Sequence, residues 1–307
     1  MRNLTLRQIE TLRAVAEAGS LAQASTALHM TPAALTARVK GLEQAVGLRL
    51  FERVSTGMRL TKAGEAALEA SRGVARAMRD FADAMDAIGM GVGGGLSVGA
   101  TSTAKYFAPR LIASFVADRP RLDLRFRIGN RDATIESLRN DEVEIALTGR
   151  PPRDMPVEKS ALGPHPFVLI APPEHRLALE RRLARADLAG EAFLFREVGS
   201  GTRSVFEDFI GDTAIKRVQM GMELGSNETI KQAVMAGLGI ALISAHTIAA
   251  EVFDGRIVCL DVRGLPIVRE WYVVNRSDRA LSPAARAFRD FATAHGADYL
   301  PKVADVT

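Results

Sequence analysis

The sequence predicts a chain in two parts. An N-terminal all-α unit, a winged helix-turn-helix, continues into a long linker helix, and a C-terminal α/β region follows. Three observations predict this. Short capped stretches of helical periodicity fill residues 1–50. Residues 61–89 run without proline and carry a regular apolar seam. From Leu96 onward, short apolar runs alternate with helical stretches, the rhythm of an α/β sheet.

The first helix opens at Thr5, with Gln8 placed to complete a capping box. Leu6, Ile9, Leu12 and Ala16 recur at helical spacing, and Gly19 supplies the left-handed residue that ends the helix. Ser20 and Gln23 open a second helix that ends near Leu28, and His29 and Met30 form a tight turn. Thr31 caps a third helix with Pro32 at its first position, where a missing N–H costs nothing; Gly47 stops it after Val46. Two short helices joined by such a turn make a helix-turn-helix, whose second helix enters the major groove N-terminal end first. That end carries Thr31, Pro32, Ala33 and Thr36. Small residues allow close approach, and Pro32 and Ala33 suit thymine methyl groups. Arg38 and Lys40 reach phosphates. The segment LRLFERVSTGMRLT reads as two short strands around Ser55-Thr56-Gly57, a wing carrying Arg53 and Arg59.

Charge agrees with this reading. Residues 1–62 hold nine Lys or Arg against four Glu, a surplus of five in a chain whose net charge is +4. The positive charge therefore belongs to the N-terminal fifth, as expected of a nucleic-acid partner. In the linker, Val74, Met78, Phe81, Met85 and Ile88 follow spacings of 4, 3, 4 and 3, a heptad seam that seeks a partner helix. Gly91, Gly93, Gly94 and Gly95 then read as a flexible joint.

The stretch Leu4 to Lys62, including SLAQASTALHMTPAALTARVKGLEQAVGLRLFER and RLTKAG, resembles the N-terminal domain of LysR-type transcriptional regulators. The segments STAKYFAPR (102–110), IGNR (128–131), TGRPP (148–152), APPEH (171–175) and GSGTR (199–203) most resemble the Calvin-cycle operon regulators of that family, the CbbR subgroup. The resemblance implies a linker helix that pairs subunits, a tetramer, RNA polymerase as a partner, and a sensor of two α/β lobes like a periplasmic binding protein. It also implies effectors that are phosphorylated or reduced metabolites. The expected domains are a winged helix-turn-helix at 1–62, a linker and dimerisation helix at 63–91, and an effector-binding domain at 92–307. Within the last, lobe I takes 92–163 and 266–307, and lobe II takes 164–265.

A ligand in an open α/β sheet sits beyond strand C-termini, near helix N-termini. Segments so placed offer Ser102 and Thr103, Asn130, Arg150, then Ser200, Thr202 and Arg203, and finally Asn227. Their hydroxyls, helix N-termini and guanidinium groups favour a small anion. Either a phosphorylated metabolite or a carboxylate or inorganic anion satisfies that chemistry. Asn130 and Ser226 also read as helix caps. His165, His175 and His246 read as loop or surface residues, and Cys259 and Trp271 as core.

No nucleophile elbow, phosphate-binding loop or metal-ligand spacing appears in the sequence, so neither an enzyme nor a metal or cofactor is expected. The N-terminus MRNLTLRQIETLR lacks an apolar signal region, and no run of 18 apolar residues occurs. A single cysteine fits a reducing compartment. A cytoplasmic regulator is therefore expected over a transport-type solute-binding protein, with no membrane contact.

Overall fold

The structure, a computed structural model, describes residues 4–55, 57–90, 94–214 and 219–302. It divides into two compact units, residues 1–82 and 83–307.

In the first unit, α1 (Leu6–Ala18), α2 (Leu21–Ala27) and α3 (Pro32–Val46) begin and end where the caps require. The Thr5 hydroxyl accepts from the Gln8 amide while the Gln8 side chain accepts from the Thr5 amide, and Gly19 closes α1 with φ of +62°. Ser20 accepts from Gln23 N, half of the reciprocal cap expected there. Thr31 accepts from Ala34 N with Pro32 following, and Gly47 ends α3. Strands β1 (Phe51–Val54) and β2 (Gly57–Leu60) pair antiparallel as the wing. Leu12, Val15, Ala24, Leu35, Val39, Leu42, Leu50 and Phe51 form one buried core beneath these elements.

Two residues tie the wing to this core. One Glu43 carboxylate oxygen accepts from the amides of Leu50 and Phe51, at 2.8 and 3.1 Å, so α3 holds the start of β1. Gly64 lies against the Leu50 carbonyl so closely that a Cβ would come within 2.1 Å of its oxygen. Gly64 stands in the first turn of α4 (Lys62–Met90), a 29-residue helix. On α4, Val74 is half-buried and Met78, Phe81 and Met85 are exposed, Phe81 at 60%. The side chain of Ile88 lies outside the described residues, as do Gly91 and Gly93. Gly94 and Gly95 belong to a strand rather than a joint.

The second unit continues with β3 (Gly94–Thr101), a 3-10 turn at Ser102–Tyr106, α5 (Ala108–Val116), β4 (Leu122–Gly129), α6 (Arg131–Arg139), β5 (Ile145–Thr148) and β6 (Val157–Ala171). Then come β7 (Ala192–Arg196), α7 (Gly201–Ala214), β8 (Gln219–Leu224), α8 (Asn227–Met235), β9 (Ala241–Ser244), α9 (Ala249–Phe253), β10 (Val258–Cys259), β11 (Ile267–Arg276) and α10 (Pro283–His295).

The main sheet has the order β10-β6-β11-β5-β3-β4, with β9 also on β6. Strand β4 is at the edge, as its alternation of Leu122, Leu124 and Phe126 with Asp123, Arg125 and Arg127 requires. One lobe gathers around Trp271, Phe107, Phe115 and Phe288, the other around Phe167, Phe193, Phe206 and Phe209. Strand β6 serves both lobes. Its residues 157–167 pair with β11, and Phe167–Ile170 pair with β9. Strand β11 runs beside it, so two long strands pass between the lobes. A second, parallel pair, β7-β8, lies in the lobe built around Phe193.

Replacing Glu43 by alanine leaves the amides of Leu50 and Phe51 without their acceptor, at a cost of about 1–3 kcal/mol. Faster hydrogen exchange confined to residues 42–60 is the expected result. Exchange equal to that of the unaltered chain would show that Glu43 does not hold the wing.

Candidate functional site

Between the two lobes lies a cavity of about 200 Å³. Four segments bring their ends to it. Strand β3 ends in Thr101, and the following 3-10 turn supplies Ser102 and Thr103. Strand β5 ends in Thr148, with Gly149, Arg150 and Arg153 after it. Helix α6 presents Arg131 from its first turn, and α7 presents Ser200, Gly201 and Thr202 from its N-terminal end. The crossing strands complete the lining with His165, Phe167 and Arg269. All these chain ends meet here because parallel strands leave their C-terminal ends, and the helices that follow them leave their N-terminal ends, on one side of the sheet.

The lining is strongly positive. Arg131, Arg150, Arg153 and Arg269 face one acid, Asp208. Arg269 pairs with Asp208 at 3.3 Å, and Arg131 pairs with Asp132 at 2.9 Å. Arg131 also donates to the Arg150 carbonyl at 3.0 Å. Among the described residues, Arg150 and Arg153 have no carboxylate partner. The Thr148 hydroxyl accepts from the Arg150 amide at 3.3 Å and so shapes that turn.

Five of the eight residues expected from the sequence line the cavity: Ser102, Thr103, Arg150, Ser200 and Thr202. The other three do not. Asn130 caps α6 by accepting from Ala133 N. Asn227 is buried between Arg196 and Thr103. Arg203 is held by Glu207 at 2.8 Å, by Glu223, and by the Arg196 carbonyl; it lines an adjoining outer hollow with Val198. The sequence reading missed Arg131, Arg153, Arg269, His165 and Phe167.

His165 and His246 are not loop or surface residues; both are 4% exposed. His165 stacks on Trp271 at 4.0 Å and its Nε2 bonds the Ser244 hydroxyl at 2.9 Å. Its Nδ1 has no hydrogen-bond partner. A Cβ at Gly149 would fall 2.7 Å from that nitrogen, so glycine lets the β5 turn lie on the imidazole. His246 Nδ1 accepts from the Trp271 indole N–H at 3.2 Å. Burial pushes His246 down to about 4 and holds His165 well below the usual histidine range. Both rings are therefore neutral at pH 7, and His165 adds no positive charge to the cavity. His175 does lie in a turn, where it bonds Glu191. Trp271 is fully buried, while Cys259 is half-buried at the margin of a core.

In the first unit, Leu35, Val39 and Leu42 turn one face of α3 inward. Thr31, Pro32, Ala33 and Lys40 are exposed on the rest of it, and Thr36 and Arg38 are half-exposed. The Thr36 hydroxyl donates to the Pro32 carbonyl at 2.8 Å. On the wing, Arg53 and Arg59 are exposed, and Arg59 pairs with Glu52 at 2.8 Å.

Residues 6–65 match the family of bacterial regulatory helix-turn-helix proteins of the lysR type, and residues 90–297 match the LysR substrate binding domain. The chain belongs to the LysR family. It is a DNA-binding transcription regulator with an effector-binding domain. It is 48% identical over 303 residues to the HTH-type transcriptional regulator CbbR of Sinorhizobium medicae, covering 99% of this chain and 97% of that one. The regulatory domain of Synechocystis CcmR in complex with 2-PG is 33% identical, with a TM-score of 0.62, over 66% of this chain and 96% of that one. Full-length CbnR bound to its target DNA shares the fold at 23% identity and a TM-score of 0.65, over 94% of this chain and 99% of that one.

The buried histidines make the regulator's sensor acid-labile. Unfolded imidazoles take up protons near pH 6.5, whereas folded His246 does so only near 4. The unfolded state thus binds more protons below 6.5, so stability is full above that pH and falls as pH drops toward 4. His246 alone accounts for about 2 kcal/mol at pH 5. Melting followed by Trp271, the one tryptophan in the chain, is expected to drop between pH 7 and 5. His246→Gln, which keeps an acceptor for the indole, should flatten that slope. An unchanged slope would remove His246 as its source.

Proposed function

We propose that this regulator responds to a small anionic metabolite, bearing phosphate or carboxylate, bound in the interlobe cavity. The observation that carries this reading is the lining itself. Four arginines face one aspartate, two of them without a carboxylate partner, beside serine and threonine hydroxyls and the N-terminal end of α7. Guanidinium groups in a confined site bind an acceptor-rich anion with charge-assisted hydrogen bonds. The related regulatory domain in complex with 2-PG supports the same class of effector. Arg131, Arg150, Ser102, Thr103, Ser200 and Thr202 are the residues assigned to it.

The winged unit, residues 1–62, is assigned to DNA. Pro32 and Ala33 approach bases, while Thr31, Thr36, Arg38, Lys40, Arg53 and Arg59 take phosphates. The exposed Met78, Phe81 and Met85 support a subunit-pairing role for the linker, residues 63–91. The effector domain is residues 92–307, with lobes divided at 163/164 and 265/266. A dimer or tetramer acting on RNA polymerase in the cytoplasm is the working assembly. No described helix is long and apolar enough to cross a membrane. The non-enzymatic reading rests on access. The Ser244–His165 pair resembles part of a catalytic dyad, yet Ser244 is fully buried beneath the cavity floor.

The deciding experiment measures binding to the DNA upstream of the chain's own gene, titrated with salt, 2-PG and inorganic phosphate. Salt-steep binding whose affinity or bend changes with an anion is expected. Sequence-specific binding indifferent to every anion would sink the effector reading and keep the regulator. Arg150→Ala is expected to lower anion affinity by about ten- to a hundredfold. Phe81→Asp places a charge in the seam, and sedimentation should show dimers lost; a variant that stays dimeric would refute the linker's role.

A further inference from the structure

Behind the cavity wall lies a polar chain built on a buried arginine. Arg196 is 2% exposed. Its guanidinium is gripped by Glu197 at 2.7 and 2.8 Å. Its Nη1 donates to Asn227 Oδ1 at 2.7 Å, and its Nη2 donates to the Ser102 hydroxyl at 3.3 Å. Asn227 Nδ2 in turn donates to the Thr103 hydroxyl at 3.2 Å.

The direction of these bonds follows from chemistry. A guanidinium only donates, so the Asn227 oxygen must face Arg196. The amide nitrogen then faces Thr103 and can only donate to it. Ser102 and Thr103 therefore each accept from behind. Among the described residues neither hydroxyl has an acceptor for its own hydrogen, and both residues line the cavity.

We infer that Arg196, acting through Asn227, is a positioning device that turns the Ser102 and Thr103 hydroxyls into hydrogen donors aimed at the ligand. The inference rests on the anion reading above and deepens it. At this end the site takes a group that only accepts hydrogen bonds, an ionised phosphate or carboxylate oxygen. It disfavours an ammonium, which carries hydrogens and no acceptor. Arg196 and Asn227 do not themselves line the cavity.

The test is a double-mutant cycle on the full chain, read as the inorganic phosphate affinity fitted from phosphate-dependent melting. Asn227→Asp keeps the shape but replaces the donor facing Thr103 with an acceptor, so the Thr103 hydrogen turns away from the cavity. Thr103→Val deletes the hydroxyl at constant volume. Each is expected to weaken phosphate binding about tenfold, and the double variant no further than the weaker single. A loss from Asn227→Asp that persists in full on the Thr103→Val background would be a plain charge effect and would overturn the inference. So would phosphate affinity unchanged by Thr103→Val, which decides the matter even if Asn227→Asp fails to fold. Melting without phosphate reports folding separately. An unaltered chain whose melting neither phosphate nor 2-PG raises would overturn the anion reading and this inference with it; where only 2-PG raises it, the same cycle is read with 2-PG.

Discussion

A guanidinium removed from water must have its N–H groups bonded, and Arg196 meets that demand with groups that line or adjoin the interlobe cavity. Its partners are Glu197, Asn227 and Ser102. Ser102 lines the cavity, and so does Thr103, which Arg196 reaches through Asn227. One buried charge therefore positions the turn after β3 from behind. Burying a charge is costly unless every bond is made, and leaving a partner out costs more than the pair is worth in isolation. The constraint thus fixes geometry more than it adds stability.

The crossing strands depend on a different economy. Residues 157–166 of β6 pair with β11 alone in the described ladders, so their other edge is free of a partner strand. Pro164 and Pro166 lie two apart on that edge and need no N–H toward β11. Phe167 onward, the same strand acquires β9 as a partner and becomes interior. The change of neighbours along one strand is what hands the chain from one lobe to the other. His165 sits at that handover, stacked on Trp271 of β11.

These physical facts explain what could be read from the sequence. Helix ends in the first unit were legible because caps are local: Thr5 with Gln8, Thr31 with Pro32, Gly19 and Gly47 all act within one turn. The edge position of β4 was legible because one wet face forces strict alternation. The start of β6 was not legible, since Gly163, Pro164 and Pro166 carry loop signals that only an unpaired edge overrides. The cavity lining was half legible. Ser102, Thr103, Arg150, Ser200 and Thr202 lie just past strand ends or at helix starts, as topology demands. Arg131 looked like an ordinary helical residue, and Arg269 lies mid-strand, so neither carries a local signal. Arg203 misled for the opposite reason. An arginine beside a glycine turn invites a ligand, but Glu207 stands one helical turn on and holds it. Asn130 and Asn227 do not line the cavity: the first is spent as the cap of α6, and the second relays between a charged group and a hydroxyl.

The same contrast between satisfied and unsatisfied groups locates the energy available to a ligand. Around the cavity the lobes are already joined: Tyr106 donates to Glu228 at 2.7 Å, Asn227 to Thr103, Arg196 to Ser102, and, at the outer hollow, the Asp132 amide to the Gly199 carbonyl at 3.2 Å. A ligand gains nothing by remaking bonds that exist without it. Arg131, Arg150 and Arg153 line both the cavity and the outer hollow beside it, and only the first has a carboxylate partner. Guanidinium groups gathered at one rim repel one another, and an anion between them reverses the sign of that interaction. A ligand shifts a conformational equilibrium only by the difference in its affinity for the two states. An anion bound as proposed would draw that difference from the arginine rim, where Arg150 and Arg153 have no carboxylate partner among the described residues, and both lobes would feel it because Ser200 and Thr202 of one line the same small volume as the arginines of the other.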